Sequence, residues 1–259
     1  MTDSYPVDPD SVRVWCGYRH HSMHVKDFQD KLGEVFIPAC VKLQTNLGLT
    51  AYIPTVLLGI RNKESFVPDE TALVFYKSQE TYRACFNTLA ERIYALDHHG
   101  VFSFEKNEYE FQSYSEFPKL FTGSLEFKKP VYLFDKKTDW MNGKSKHFVG
   151  TRDSKMPPAE FQENISKIIS TIQKNEKLDG AIACIDSDYL VYWELISNEQ
   201  TENNLSIGIP LLEKAFKEWK QSFTAKDMSL PKGLWDNWEG ITNIDAGSCL
   251  NMVFDRKPD

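Results

Sequence analysis

Apolar positions along this chain follow two rhythms. Phe28, Leu32, Val35, Phe36 and Ala39 step in threes and fours, the spacing of one helix face. Phe161, Ile165, Ile168, Ile169 and Ile172 repeat that stripe 133 positions later. Between the stripes lie short runs such as Leu73-Val74-Phe75-Tyr76 and Leu190-Val191-Tyr192-Trp193, bounded by turn formers such as Asp186-Ser187-Asp188. These predict strands. The chain thus reads twice as strand, helix, strand, strand, helix, strand. The first series covers Ser11–Tyr18, Val25–Asn46, Thr50–Leu58, Glu70–Lys77, Gln79–Leu96 and Val101–Glu105. The second covers Lys146–Arg152, Pro158–Lys177, Ala181–Asp186, Tyr189–Ser197, Leu205–Phe223 and Ser248–Asp255. Pro158 opens its helix well, because the first helical position needs no N–H.

The two series also match in sequence. Trp15-Cys16-Gly17-Tyr18-Arg19 aligns with Phe148-Val149-Gly150-Thr151-Arg152 at the same offset of 133. The later strand blocks, Leu73 to Tyr76 and Leu190 to Trp193, align at 117, so the second series is 16 residues shorter, the difference falling in the loop Gly59 to Glu70. Three blocks in one order predict a tandem duplication. Two segments stand outside it. Lys106 to Ser145 is rich in Tyr, Phe and Trp, where a flexible linker would be rich in Gly and Ser, and is expected to pack on the body. Ala225 to Gly247, with Trp235 and Trp238, reads as a covering loop or a lid.

The βαββαβ order is the ferredoxin-like unit, an α+β fold with both helices on one sheet face. The other face must be covered, and the second copy is the nearest cover. Two antiparallel sheets packed face to face in one chain resemble the dimeric α/β-barrel superfamily in its fused, two-repeat form. The expected organisation is a first repeat over 11–105, a packed connector over 106–145 and a second repeat over 146–255. The resemblance is one of layout, without a signature motif. It implies a chain that completes its own barrel as a monomer, and an oxygenase, isomerase or cyclase activity. The superfamily includes antibiotic-biosynthesis-type monooxygenases, muconolactone isomerase-like proteins, and the haem-binding chlorite dismutases and dye-decolourising peroxidases. Its haem-binding members take their axial histidine from the C-terminal repeat; no histidine follows His147 here, so haem is not expected.

Composition narrows the partners. Thirty basic against 37 acidic residues, a net charge of −7, argues against nucleic acid. No apolar run approaches a membrane span, and the polar, acidic N-terminus does not read as a signal peptide, so a cytoplasmic protein is expected. Five scattered cysteines with no CxxC exclude a zinc ribbon and a thioredoxin-type dithiol.

Candidate chemistry gathers around the repeated strand. Trp15, Gly17 and Arg19 share one strand face, as do Phe148, Gly150 and Arg152, and that face is expected to point away from the helices, into a cavity between the repeats. Val12, Val14 and Cys16 would then pack under the helices. Arg19 and Arg152 are candidates for binding an anion, through their planar forks of donors; the structural alternative is an internal salt bridge for each. Trp15, Tyr76 and Trp193 would line the cavity for a flat or apolar ligand. Five of six histidines fall in the first repeat. His20, His21 and His24 are candidates for acid–base work, with a solvated loop as the structural alternative. His98 and His99 read as caps of a helix end closed by Gly100. No metal-ligand pattern, Walker A loop, GxGxxG or GxSxG is present.

These readings converge on a small-molecule enzyme, acting on an anionic or aromatic ligand without a tightly bound organic cofactor or metal. The alternatives are a non-catalytic ligand-binding or stress-response protein on the same scaffold, and a metal- or haem-dependent enzyme using the N-terminal histidines.

Overall fold

A computed structural model describes residues 6–36, 48–56, 66–104, 111–140, 144–175, 177–196, 206–228 and 252–253. Cys40, Trp235, Trp238 and Cys249, with most of the expected covering loop, lie outside the described residues. The chain divides into two units, one of 11–115 with 230–259, the other of 1–10 with 116–229.

In the unit built on 11–115, β1 (Val12–Gly17) leads to α1 (Val25–Asp30), which widens into a π turn over Lys31–Phe36. β2 (Leu49–Val56) and β3 (Glu70–Tyr76) follow, then α2 (Gln79–Cys85), α3 (Leu89–His99) and β4 (Tyr114–Glu116). The sheet runs β4, β1, β3, β2, with Met252–Val253 added beyond β2. β3 lies antiparallel to both β1 and β2. The single helix expected over Gln79–Leu96 is broken at Phe86, and Thr88 caps the new start: its Oγ accepts from the Glu91 N–H at 3.2 Å, as Ser78 Oγ does from Thr81 at 3.0 Å. α3 is inverted. Glu91 and His98 are buried, while Leu89 and Leu96 are 73% and 70% exposed.

The other unit carries β5 (Lys119–Leu120), β6 (Val131–Tyr132), β7 (Lys144–Thr151), α4 (Pro158–Gln173), β8 (Gly180–Ile185), β9 (Tyr189–Ile196), α5 (Gly208–Glu218) and β10 (Phe223–Met228). Its sheet runs β10, β7, β9, β8, β6, β5. The first four strands repeat the order fourth, first, third, second of the other sheet. β6 and β5 extend the edge, and their parallel pairing makes the sheet mixed. Phe161, Ile165, Ile169 and Ile172 of α4 are fully buried against Phe148 and Tyr192 of the sheet and Leu212 and Phe216 of α5. Each such side chain contributes about 1.5–3 kcal/mol relative to exposure. Among the described residues no helix is long and apolar enough to cross a membrane.

Four expectations need correction. Val101–Glu105 is not the fourth strand of the first unit: Phe102 makes one bridge to Arg19, and β4 occupies that sheet position. Ser248–Asp255 is not the fourth strand of the second: β10 pairs with β7, and Met252–Val253 joins the other sheet. The helical faces are reversed. Trp15 stands edge-on to His98 of α3 and to Phe102 at 5.3 and 5.0 Å, and Phe148 meets Phe216 of α5 at 5.2 Å, so the Trp15 and Phe148 faces lie under helices. Finally, Gly17 sits opposite Glu70 and Gly150 opposite Leu190, so with the glycines aligned the third strands match at an offset of 120 (190 less 70), not 117. A slip of three turns a strand over. Tyr76 and Trp193 therefore lie on opposite faces.

Candidate functional site

The β1 face that carries Trp15 also carries Arg13, and β3 presents Val74 and Tyr76 beside them. With Phe36, Tyr52 and the inward side of α3, these close a cavity whose walls all come from the first unit. The hollow, its solvent mouth included, spans about 450 Å³.

Two basic groups of different kinds share this space. His98 Nδ1 lies 2.8 Å from the Tyr94 carbonyl, one helical turn back. A carbonyl only accepts, so Nδ1 carries the proton and Nε2 keeps a lone pair. Burial pushes the His98 pKa down to about 3; the Tyr94 bond opposes this, and the charges of Arg13 and His99 add to the fall. The imidazole is neutral at physiological pH. Arg13 lies with its guanidinium carbon 4.5 Å above the Tyr82 ring centroid. Burial works against its charge, but Tyr82, Tyr76, Tyr94 and Glu91 outweigh it and the pKa is raised. Glu91 acts on Arg13 through space, yet among the described residues no carboxylate forms an ion pair with it.

A carboxyl group stands behind the wall. Glu70, fully buried, accepts from the Trp15 indole N–H at 3.1 Å and from the Tyr52 phenol, which fixes both rings. Burial raises its pKa to about 7, against the pull of those two bonds. Burial likewise lifts the Tyr76 phenol far above its ordinary range.

Of the residues singled out in the sequence, the structure brings Trp15 and Tyr76 into this cavity. His20, His21 and His24 stay on the strand-to-helix loop. His20 Nε2 lies 3.1 Å from the His99 carbonyl, and His21 and His24 are exposed. Arg19 and Arg152 sit in matching local frames. Arg19 Nε is 3.2 Å from the wholly buried Asp69, though its N–H is not aimed along the contact, and its other arm donates to the His20 and Met23 carbonyls. Arg152 pairs with Asp188 and donates to the Asp153 and Met156 carbonyls at 3.2 and 2.6 Å. Trp193 is fully buried on the sheet face away from α4 and α5, 5.3 Å from His147, and among the described residues its indole N–H has no hydrogen-bond partner. Burial pushes His147 down to about 3.

The sequence reading missed Arg13, Tyr94 and Glu70, and took His98 for a cap. The signal was present: Glu91, Tyr94 and His98 recur at i, i+3 and i+7, a polar stripe on the side of α3 opposite its leucines.

Among the described residues no three His, Cys, Asp or Glu side chains converge as a metal site. The residues present do not fit a haem. Tyr94, Phe36 and Trp15 stand edge-on around the single imidazole at 4.0, 4.6 and 5.3 Å, leaving no flat slot for a macrocycle.

No protein-family profile and no curated protein matches the chain. Among solved structures it is similar to a provisionally named monooxygenase from Lactobacillus acidophilus NCFM, at 7% identity over 83% of this chain and 91% of that one, with a TM-score of 0.38. A provisionally named monooxygenase from Fusobacterium nucleatum subsp. nucleatum gives 11% identity, 83% and 89% coverage and 0.39. A variant chlorite dismutase from Candidatus Nitrospira defluvii gives 12%, 89%, 94% and 0.31. Likeness at these scores bears on neither reaction nor ligand.

Proposed function

We propose that the cavity between the first sheet and α3 binds the anionic head of a small, flat organic molecule and moves a proton on it. One observation carries the reading: a guanidinium that forms no ion pair among the described residues and a neutral imidazole whose Nε2 keeps its lone pair line one largely aromatic and apolar hollow. Arg13 holds the carboxylate, enolate or phenolate oxygen, and Trp15 and Tyr52, pinned by Glu70, supply flat walls. A ligand larger than the enclosed space passes its remainder out through the mouth.

The chemistry follows from the charges. His98 Nε2 takes a proton from a carbon next to the substrate carbonyl, and the released electron pair moves onto the oxygen that Arg13 holds, giving an enolate. Return of the proton to a different carbon completes an isomerisation. The same enolate is the nucleophile that an internal electrophile consumes in a cyclisation, or dioxygen in an oxygenation. In the free protein His98 is a weak base. Burial is the main depressant and the Arg13 charge adds to it, so an anion on Arg13 offsets only the smaller of the two. That low basicity also gives weight to a second reading, a ligand-binding protein in which Nε2 only accepts a hydrogen bond.

Calorimetric titration with acetate, benzoate and 4-nitrophenolate, against acetamide, benzamide and nitrobenzene, tests the site. Binding of the anions at least about tenfold tighter than their neutral counterparts supports it. Equal binding of both sets overturns it. Exchange of solvent deuterium into bound enolisable acids separates the enzyme from the binder.

The finer architecture belongs to the same reading: the two units are copies of one βαββαβ ancestor. Three parallels support this: the shared strand order, the Arg19 and Arg152 frames, and an aromatic ring lying on the strand glycine in each unit.

A further inference from the structure

Half of the large apolar side chains exposed among the described residues lie within eleven positions of one another. Phe86, Leu89, Ile93 and Leu96 are 53%, 73%, 41% and 70% exposed. Isolated exposed leucines are ordinary, but a continuous stripe along a helix marks a contact surface. We infer that this face of α3 is a homodimer contact, in which α3 packs parallel and in register against α3 of a second copy of the chain.

The spacing selects a helix as the occupant. Leu89, Ile93 and Leu96 step by four and then three along α3, the d, a and d positions of a helix–helix seam. Phe86 stands on the turn before the helix and extends the seam, its ring held edge-on to Tyr82 at 5.0 Å.

The charges select a second copy and its direction. Arg92 and Asp97 flank the stripe, five residues apart, at the g position and the following e position. Among the described residues neither forms an ion pair within the chain. In a parallel pair, g faces the e position five residues on in the other helix. Arg92 thereby meets the partner's Asp97, and the contact occurs twice by symmetry. An antiparallel pair brings Arg92 to the partner's g positions and never to Asp97. The surface is self-complementary in one arrangement, as a two-fold interface requires. The inward side of the same helix holds Tyr94 and His98, so the helix has one polar face for the cavity and one apolar face for the copy. A patch of four side chains is small, and the expected association is weak, in the micromolar range, rather than obligate.

Sedimentation velocity across roughly 1 to 200 µM, a range set by that affinity, tests the inference on the full chain. The wild type is expected to shift from monomer to dimer. Leu96→Glu and Leu89→Glu place a charge in the seam of both copies and should weaken the dimer roughly a hundredfold or more. Far-ultraviolet circular dichroism checks that they stay folded. Arg92→Asp and Asp97→Arg should each weaken it a few-fold, and the double exchange should restore it. These two positions carry no internal ion pair, so this arm remains informative if a leucine variant fails to fold. A wild type monomeric throughout overturns the proposal, as does a dimer indifferent to Leu96→Glu. A double exchange weaker than either single variant overturns the parallel arrangement.

Discussion

Phe102 lies directly against the α-carbon of Gly17, where a β-carbon would stand 2.5 Å from Phe102 Cε1. Phe216 lies on Gly150 in the same manner, and the first-helix aromatics Phe28 and Phe161 meet these rings at 5.6 and 6.1 Å. The strand glycines thus make room for a ring rather than for a ligand. Gly17→Ala and Gly150→Ala are each expected to lose about 1–3 kcal/mol through overpacking. Urea denaturation measures the loss, and unchanged midpoints in both would remove the physical reason for the paired glycines.

Arg19 and Arg152 make internal contacts of unequal depth. Asp69 is wholly buried, whereas the Asp188 side chain keeps 30% of its exposure. Arg19→Ala removes a cation from a buried carboxylate and should cost roughly 2–3 kcal/mol, and Arg152→Ala about 1 kcal/mol. Thermal melts of the two variants give the comparison. Near-wild-type stability of Arg19→Ala would leave that guanidinium free for a ligand.

Stability should respond to pH in two opposed ways. Glu70 has its pKa raised to about 7, so the folded state holds its proton more tightly than the unfolded chain does. Its contribution is fully present below the unfolded value and is lost as pH rises through 7. His98 and His147 are depressed to about 3, so their contribution is complete above the unfolded value and is lost as pH falls below it towards 3. Glu70→Gln keeps an acceptor for Trp15 and a partner for Tyr52, and should gain up to about 3 kcal/mol on the wild type between pH 5 and 8. His147→Gln should flatten the acid side. Urea midpoints at pH 5, 6, 7 and 8 check both. A Glu70→Gln profile parallel to the wild type would mean that Glu70 is ionised throughout.

The order of strands and helices was legible because helical stripes such as Phe161 to Ile172 and buried runs such as Tyr189–Ile196 have distinct periods. The faces of β1 were not. Val12, Val14 and Cys16 are as buried as Trp15 is, so alternation could not say which set met the helices. The slip of three in the third strands has a related cause: Leu-Val followed by two aromatics suits any strand buried on both faces. Trp15 and Tyr76 could be picked out as bulky residues near the repeated motif. His98 could not, because a histidine in a last helical turn looks like a cap until Leu89 and Leu96 are seen to face outward.

The most direct measurement is a calorimetric titration of benzoate at pH 7, where the ligand is ionised, into wild type, Arg13→Met and His98→Gln. Arg13→Met should bind at least about tenfold more weakly. His98→Gln should bind the anion within about tenfold of the wild type and lose the exchange of solvent deuterium into enolisable acids. Wild-type affinity in a folded Arg13→Met would contradict the placing of the site in this cavity.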